Sequence, residues 1–236
     1  MVVTNCKRLD LSFMTMLKYS QVEKIANSGR NAMTTKQRRY YKSDNIVKGS
    51  ADNIEMSYLL ASESSIEEGK DWYPNARMIA EQIGSGNTSM GAGLLAVMSP
   101  QMDWDSNIIE AWRVVLEGYS PRQTKVNNNK ALAIKNGAEP TSILGGQKVT
   151  AFFHAIENPL GDTLAVVDRH IIAIYYGKIP TREELNKVFG SKRIMRRIQN
   201  AVKVVAKRLG IPVHVLQAII WVQHRKNIGM AKEEIF

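Results

Sequence analysis

The stretch from residue 142 to residue 170, SILGGQKVTAFFHAIENPLGDTLAVVDRH, constrains this chain more than any other. Gly145 and Gly146 predict a tight turn, because glycine adopts backbone angles that other residues avoid. A helix is predicted to begin at Lys148, since apolar residues recur after it at helical spacing: Val149, Phe152, Phe153 and Ile156. An apolar run then leads to Asp168. We therefore expect one amine and one carboxylate on neighbouring elements.

The predicted helix starts directly after the glycine turn. The first N–H groups of a helix have no partner within it, and they lie at the positive end of the helix dipole. Such groups commonly hold a phosphate oxygen. We therefore expect a nucleic-acid backbone to contact Gly145, Gly146 and Gln147.

The same segment resembles the helix-hairpin-helix and catalytic loop of the DNA glycosylase superfamily that includes endonuclease III and 8-oxoguanine glycosylase. That superfamily carries a hairpin of the form L-P-G-V-G-x-K, followed further along the chain by V-D-x-H. Lys148 matches the lysine that attacks the sugar in bifunctional members, and Asp168 matches the family's aspartate. The hairpin departs from the pattern, because Gly145-Gly146 stands where G-V-G is expected and the preceding proline is missing.

A second point of resemblance is Ser99-Pro100-Gln101, which follows an apolar helical stretch. Glycosylases of this superfamily carry a short S-x-Q or Q-Q motif at the corresponding place, and its glutamine fills the gap left by a flipped nucleotide. Alone, S-P-Q is a common helix break. The resemblance implies that Gln101 enters the DNA duplex, and Asn128-Asn129-Lys130-Ala131 resembles the N-x-K-A run that precedes the family's hairpin.

The charge of the chain favours a polyanionic partner. Its 32 basic residues exceed its 22 acidic ones, which gives a formal net charge of +10. Residues 192–208 contain seven Lys or Arg and no acid, with an apolar face on the same helix. A solvated helix face is the alternative interpretation. Alongside the hairpin, the pattern predicts DNA contacts by these basic residues and by two residues beside Asp168: Lys192, Arg193, Arg196, Arg197, Arg169 and His170.

Cysteine and histidine usage bears on metals and cofactors. Cys6 is the only cysteine, which excludes an internal disulfide and the four-cysteine iron–sulfur loop of endonuclease III-like proteins. The four histidines show no close ligand pairing. We therefore expect no metal and no cofactor. With no membrane-length apolar run and no secretory signal in the opening residues, we expect a soluble, monomeric, cytoplasmic protein, in the host cytoplasm if phage-encoded.

The patterns predict an all-α fold with two helical subdomains and a DNA-binding cleft between them. Residues 1–50 are predicted to be a basic N-terminal extension, and residues 51–236 a helical glycosylase-like domain with its hairpin and catalytic loop at 140–170. Pro74 is expected in a first helical turn. Asp105 or Ser106 is expected to cap a helix, and Thr181 with Glu184 a further one through a capping box.

A flipped base needs a pocket with aromatic or apolar walls. The candidates are Trp72, Tyr73, Trp104, Trp112 and Phe152. Near the C-terminus, Gln217, Trp221 and Arg225 lie one turn apart on one side of a predicted helix. We interpret them as core packing with a polar edge.

Three functions are compatible with these residues. The first is a DNA glycosylase with AP lyase activity, in which Asp168 stabilises the sugar cation and Lys148 forms a Schiff base. The second is a transferase of the phage branch that resembles this fold and builds hypermodified thymidines. The third is a non-catalytic DNA-binding protein that keeps the hairpin for phosphate contact.

Overall fold

The computed structural model describes residues 49–161 and 163–229. These residues form eleven α-helices and no β-strand, which confirms the all-α fold. The helices are α1 (Ala51–Leu59), α2 (Glu63–Ile83), α3 (Thr88–Met98), α4 (Trp104–Glu117), α5 (Lys125–Lys135), α6 (Pro140–Ile143), α7 (Gln147–Glu157), α8 (Arg169–Tyr176), α9 (Arg182–Phe189), α10 (Lys192–Leu209) and α11 (Val213–Asn227). Cys6 and most of the predicted extension, including its basic stretch 36–42, lie outside the described residues.

The apolar side chains form two hydrophobic clusters. The first joins α1, α8, α10 and α11 and includes Ile171 and Ile198. The second joins α3, α4, α5 and α7 to the second half of α2 and includes Leu94 and Phe153. Helices α2 and α11 contribute buried residues to both clusters. The division into two subdomains stays a prediction.

Close helix contact at the centre depends on two small residues. A Cβ atom on Gly69 of α2 would lie 2.5 Å from the Cα atom of Ile219 in α11. A Cβ atom on Gly91 of α3 would lie 1.8 Å from the carbonyl oxygen of Ala80 in α2. Both positions therefore exclude larger side chains, and α2 packs tightly between α3 and α11.

Pro74 does not begin a helix, so that prediction was wrong. Helix α2 runs without interruption through Pro74 for 21 residues. Proline in a helix interior removes one backbone hydrogen bond and crowds the preceding turn. Burial of Tyr73 and Ala76 on either side of the proline offsets this cost, because both side chains pack into the second cluster.

Of the two predicted helix N-caps, one is confirmed and the other lies at a different residue. Thr181 and Glu184 form the predicted capping box of α9. The cap of α4 is Asp103, whose side chain accepts a hydrogen bond from the backbone N–H of Ser106. The prediction of Asp105 or Ser106 was wrong, because α4 begins earlier, at Trp104. Among the described helices none alone is long and apolar enough to cross a membrane.

Candidate functional site

A pocket of about 100 Å³ opens where α2, α4, α7 and α11 meet the segment before α8. Both predicted catalytic residues, Lys148 and Asp168, line it. The other lining residues are mostly aromatic or apolar, with a few polar side chains: Trp72, Tyr73, Ser99, Met102, Asp103, Trp104, Asn107, Phe152, Val166, Gln217, Ala218 and Trp221.

Asp168 is held in place by three hydrogen-bond donors. It is the N-cap of α8, and its Oδ1 accepts from the backbone N–H groups of His170 and Ile171, each at 2.9 Å. Its Oδ2 accepts from the indole Nε1 of Trp221 at 2.8 Å. The two backbone N–H donors are held by helix α8. The indole donor is held in place because the Trp221 ring packs against the rings of Trp72 and His170. The carboxylate therefore keeps one orientation at the pocket.

The chain before Asp168 is anchored on its other side. Ala165, Val166 and Val167 are buried, and the carbonyl oxygen of Ala165 accepts a hydrogen bond from the side chain of Gln199 in α10 at 3.1 Å. This segment has no helical hydrogen bonds of its own. Its apolar side chains and the Gln199 contact fix the point at which α8 begins.

Lys148 belongs to the first turn of α7, which begins at Gln147, one residue before the predicted start. The side chain is half-buried, and no acidic residue in the described part of the chain pairs with its ammonium group. Phe152 lies one turn further along the same helix and lines the same pocket. The amine is therefore presented to the pocket on an apolar helix face.

Aromatic rings form the walls. The ring of Trp72 lies 5.0 Å from that of Trp104, 5.9 Å from that of Phe152 and 5.8 Å from that of Trp221, measured between centroids. Four of the five predicted wall residues line the pocket, and Trp112 packs instead against the second cluster. Such walls suit a flat, apolar-faced group.

Helix α11 supplies two pocket residues whose interpretation as core packing was incomplete. Trp221 lines the pocket and donates a hydrogen bond to Asp168. The guanidinium carbon of Arg225 lies 4.5 Å from the centroid of the Trp221 ring. Gln217 lines the pocket and accepts a hydrogen bond from the Tyr73 hydroxyl at 2.6 Å. Their spacing of one helical turn placed them together on one face. No local pattern indicates that this face meets Asp168, because that contact depends on how α11 crosses α8.

His170 lies behind the pocket and does not line it. Its ring contacts those of Trp221 and His224, and its Nε2 accepts a hydrogen bond from the Nε of exposed Arg169 at 3.3 Å. Burial lowers the pKa of His170 to about 4, because the protonated ring is poorly solvated there. The negative charge of Asp168 raises this pKa, and the positive charges of Arg169, His224 and Arg225 lower it further. Burial also lowers the pKa of His224. The DNA contacts predicted for Arg169 and His170 stay predictions.

Gln101 lies in the turn between α3 and α4, where Ser99 and Met102 line the pocket. The backbone of this exposed residue is in the left-handed region with φ of 62°, which is uncommon for a residue other than glycine. The side chain of Gln123 supports the turn by donating hydrogen bonds to the carbonyl oxygens of Met98 and Pro100, at 2.8 and 3.1 Å. Backbone held in a sparsely populated conformation is a pointer to function.

A second opening, a groove of about 640 Å³, follows the opposite face of α7. Gly145, Gly146, Gln147 and Lys192 line it, so the predicted hairpin residues and the start of α10 share one groove. Gly146 is the N-cap of α7 with φ of 86°, and no side chain of the described residues caps this helix. Within the described part of the chain, its first N–H groups therefore have no side-chain partner.

The basic residues of α10 extend from this groove. Lys192, Arg193, Arg196 and Arg197 are exposed, and none pairs with an acidic side chain of the described residues. By contrast, Arg208 at the other end of α10 forms a salt bridge with Glu55, with 2.6 Å between nitrogen and oxygen. Arg193, Arg196, Arg197 and Gln101 line neither opening.

No group of three or more His, Cys, Asp or Glu side chains in the described part of the chain is arranged to hold a metal ion.

Comparison with known proteins places the chain in a family. No curated protein and no solved structure matches the chain significantly. Residues 36–228 match a family of unknown function, DUF7178, and the match includes the basic stretch that precedes α1. The protein is therefore a member of the DUF7178 family.

Proposed function

We propose that this protein is a DNA glycosylase with AP lyase activity that removes a damaged or modified base after flipping its nucleotide. One observation carries the proposal: Lys148 and Asp168 line the same aromatic-walled pocket, one as an amine that no described acidic residue pairs with and the other as a fixed carboxylate. A pocket of this composition suits a flipped base.

The chemistry needs both groups. As the bond between the sugar and the base breaks, the base takes the bonding electron pair and the sugar becomes positively charged. The Asp168 carboxylate stabilises that charge. The electron pair of the Lys148 amine then forms a bond to the anomeric carbon, and the nitrogen gives up a proton to the Asp168 carboxylate. The bond between the anomeric carbon and the ring oxygen breaks as the nitrogen forms a double bond to that carbon, and the ring oxygen takes up a proton, which yields a Schiff base. Loss of a proton from C2′ then expels the 3′-phosphate and cleaves the strand.

The surface around the pocket supports DNA as the partner. The uncapped start of α7 and Lys192 offer donors and positive charge to a phosphate, and the exposed arginines of α10 extend this surface. Gln101 is exposed in a turn whose residues Ser99 and Met102 line the pocket, and there it is available to fill the space left in the duplex. These features support DNA binding, and the pocket supports the reaction.

Borohydride trapping tests the proposal. Duplexes and single strands carrying an abasic site, 8-oxoguanine, uracil, 5-hydroxymethyluracil or thymine glycol are incubated with the protein and sodium borohydride. We expect a covalent protein–DNA adduct with the wild-type protein and none with Lys148→Gln. Lys187→Gln is the matched control, because Lys187 is an exposed lysine on α9, away from the pocket. It should trap DNA as the wild type does.

Other outcomes select other functions. Base release without an adduct would indicate a glycosylase that uses water, and would contradict the role of Lys148. Transfer chemistry on pyrophosphorylated hydroxymethyluracil DNA, without strand cleavage, would favour the transferase. DNA binding that survives Lys148→Gln and Asp168→Asn, with no change to any base, would indicate a non-catalytic DNA-binding protein.

A further inference from the structure

The hydrogen bonds to Asp168 leave one lone pair of its carboxylate without a described donor. A carboxylate offers about four lone-pair positions, shared equally between its two oxygens. The backbone N–H groups of His170 and Ile171 occupy both positions on Oδ1. The indole Nε1 of Trp221 occupies one position on Oδ2. The remaining position is therefore on Oδ2, in a half-buried residue that lines the pocket.

Trp221 determines the direction of this lone pair. The backbone donors of α8 hold Oδ1 alone, and Oδ2 could pivot about that oxygen if the indole N–H did not hold it too. The ring of Trp221 is itself held, because its centroid lies 5.8 Å from that of Trp72 and 6.0 Å from that of His170, and the guanidinium carbon of Arg225 lies 4.5 Å from it. A hydrogen bond from a held donor to a charged oxygen is short and directional. Oδ2 of Asp168 therefore keeps one orientation.

An oxygen held in this way suits both roles proposed for Asp168. A negative charge stabilises a developing cation best when it need not reorient as that cation forms. Once the Lys148 nitrogen has bonded to the sugar, one of its N–H bonds breaks, the electron pair stays on nitrogen, and the proton bonds to the free lone pair of Oδ2. Oδ1 could take that proton only by giving up a hydrogen bond that caps α8.

We infer that Trp221 is a positioning residue, whose indole N–H directs the free lone pair of Asp168 Oδ2 at the positively charged sugar. Trp221 acts through Asp168 and not on the substrate itself. This role rests on the proposed function, because it concerns the reaction of the same carboxylate.

Single-turnover excision and duplex affinity test this role, on a base that the wild type releases. Trp221→Phe keeps an aromatic ring and removes the N–H group. We expect excision to fall about 10- to 100-fold, with affinity for a duplex carrying a tetrahydrofuran abasic analogue within about twofold of the wild type. Trp221→His restores a ring N–H and should recover part of the loss. Trp112→Phe is the matched control, because Trp112 lies outside the pocket, and it should excise as the wild type does.

A double variant separates the hydrogen bond from a packing effect. In Asp168→Asn the amide oxygen still caps α8, so the NH₂ group faces the indole and gives it no acceptor. Trp221→Phe should therefore change excision by no more than about twofold in this background. A loss of equal size in both backgrounds would show that Trp221 contributes only as part of the pocket wall.

A binding measurement makes the role of Trp221 independent of catalysis. A pyrrolidine analogue of the sugar is positively charged, whereas the tetrahydrofuran analogue is neutral and similar in shape. The wild type should bind a duplex with the pyrrolidine analogue more tightly. Trp221→Phe should reduce this preference about tenfold, and Asp168→Asn should abolish it.

The outcomes distinguish this role from the proposed function. Excision at the wild-type rate in Trp221→Phe would overturn the role of Trp221 and leave the glycosylase in place. A wild-type protein that releases no base and traps no DNA would refute the glycosylase. The charged analogue then decides: a preference that Trp221→Phe reduces would leave Trp221 as the residue that directs Asp168 at a cation. A preference that Trp221→Phe keeps, or none in the wild type, would overturn this role as well.

Discussion

The pocket and the groove lie on opposite faces of α7 and differ in how their polar groups are used. On the pocket face, Lys148 and Phe152 meet a carboxylate with three hydrogen-bond donors and a glutamine fixed by a tyrosine. On the groove face, Gln147 meets two exposed glycines and Lys192. The pocket is preorganised by its own side chains, whereas the groove has donors and charges that no described side chain pairs with.

This difference suggests a division of labour along one helix. Preorganised groups suit a reaction, because they need not move as charge develops. Unpaired backbone N–H groups and exposed cations suit a polyanion that supplies the missing partners. We expect changes on the pocket face to alter chemistry without altering affinity, and changes on the groove face to alter affinity without altering chemistry.

The largest effect is expected from Asp168→Asn on the pocket face. Asparagine caps helices as well as aspartate does, so α8 should remain folded while the negative charge is lost. We expect base excision to fall about a thousandfold, with duplex affinity within about twofold of the wild type. Single-turnover kinetics and gel retardation measure the two quantities. Excision at near wild-type rate would rule out Asp168 as the stabilising charge.

A smaller effect is expected from Lys192→Ala on the groove face. If Lys192 contacts one phosphate, its loss should weaken binding to damaged and undamaged duplex equally and lower the slope of log affinity against log salt by about one. Excision at saturating protein should not change. Lys207→Ala, an exposed lysine near the other end of α10, is the control and should leave the salt slope unchanged. Equal slopes for both variants would contradict a phosphate contact in the groove.

The smallest effect concerns stability behind the pocket. Because the pKa of His170 in the folded protein, about 4, lies below its unfolded value, the unfolded chain binds the proton first. The neutral histidine therefore stabilises the fold above about pH 6.5, and this contribution is lost as the pH falls toward 4. Between pH 7.5 and 4.5, we expect the free energy of unfolding of His170→Phe to fall by about 2 kcal/mol less than that of the wild type. Thermal unfolding across this pH range measures both free energies. An equal fall in the variant and the wild type would contradict the expectation.

The sequence predicted local structure better than long-range contacts. Helical spacing and turn residues placed the hairpin, the capping box and the apolar face of α10, because each depends on residues a few positions apart. The position of Pro74 inside α2 was not predicted, because packing against other helices stabilises α2 there and local preference does not. The cap Asp103 was not predicted, because α4 begins two or three residues earlier than its polar residues indicated.

The candidate site shows the same limit. Lys148 and Asp168 were found through the resemblance, and the structure brings them to one pocket. Their neighbours Asn107 and Gln217 come from helices more than a hundred residues apart in sequence, and no local pattern relates them. Which residues share the pocket is a property of packing, so only the folded chain reveals it.

The tryptophan walls have an optical consequence. Three of the four tryptophans in the chain, Trp72, Trp104 and Trp221, line the pocket, and the fourth, Trp112, lies outside it. Any molecule that enters the pocket changes the surroundings of most of the protein's indole rings at once. Trp221 in addition donates a hydrogen bond to Asp168. Intrinsic fluorescence is therefore a label-free signal of pocket occupancy.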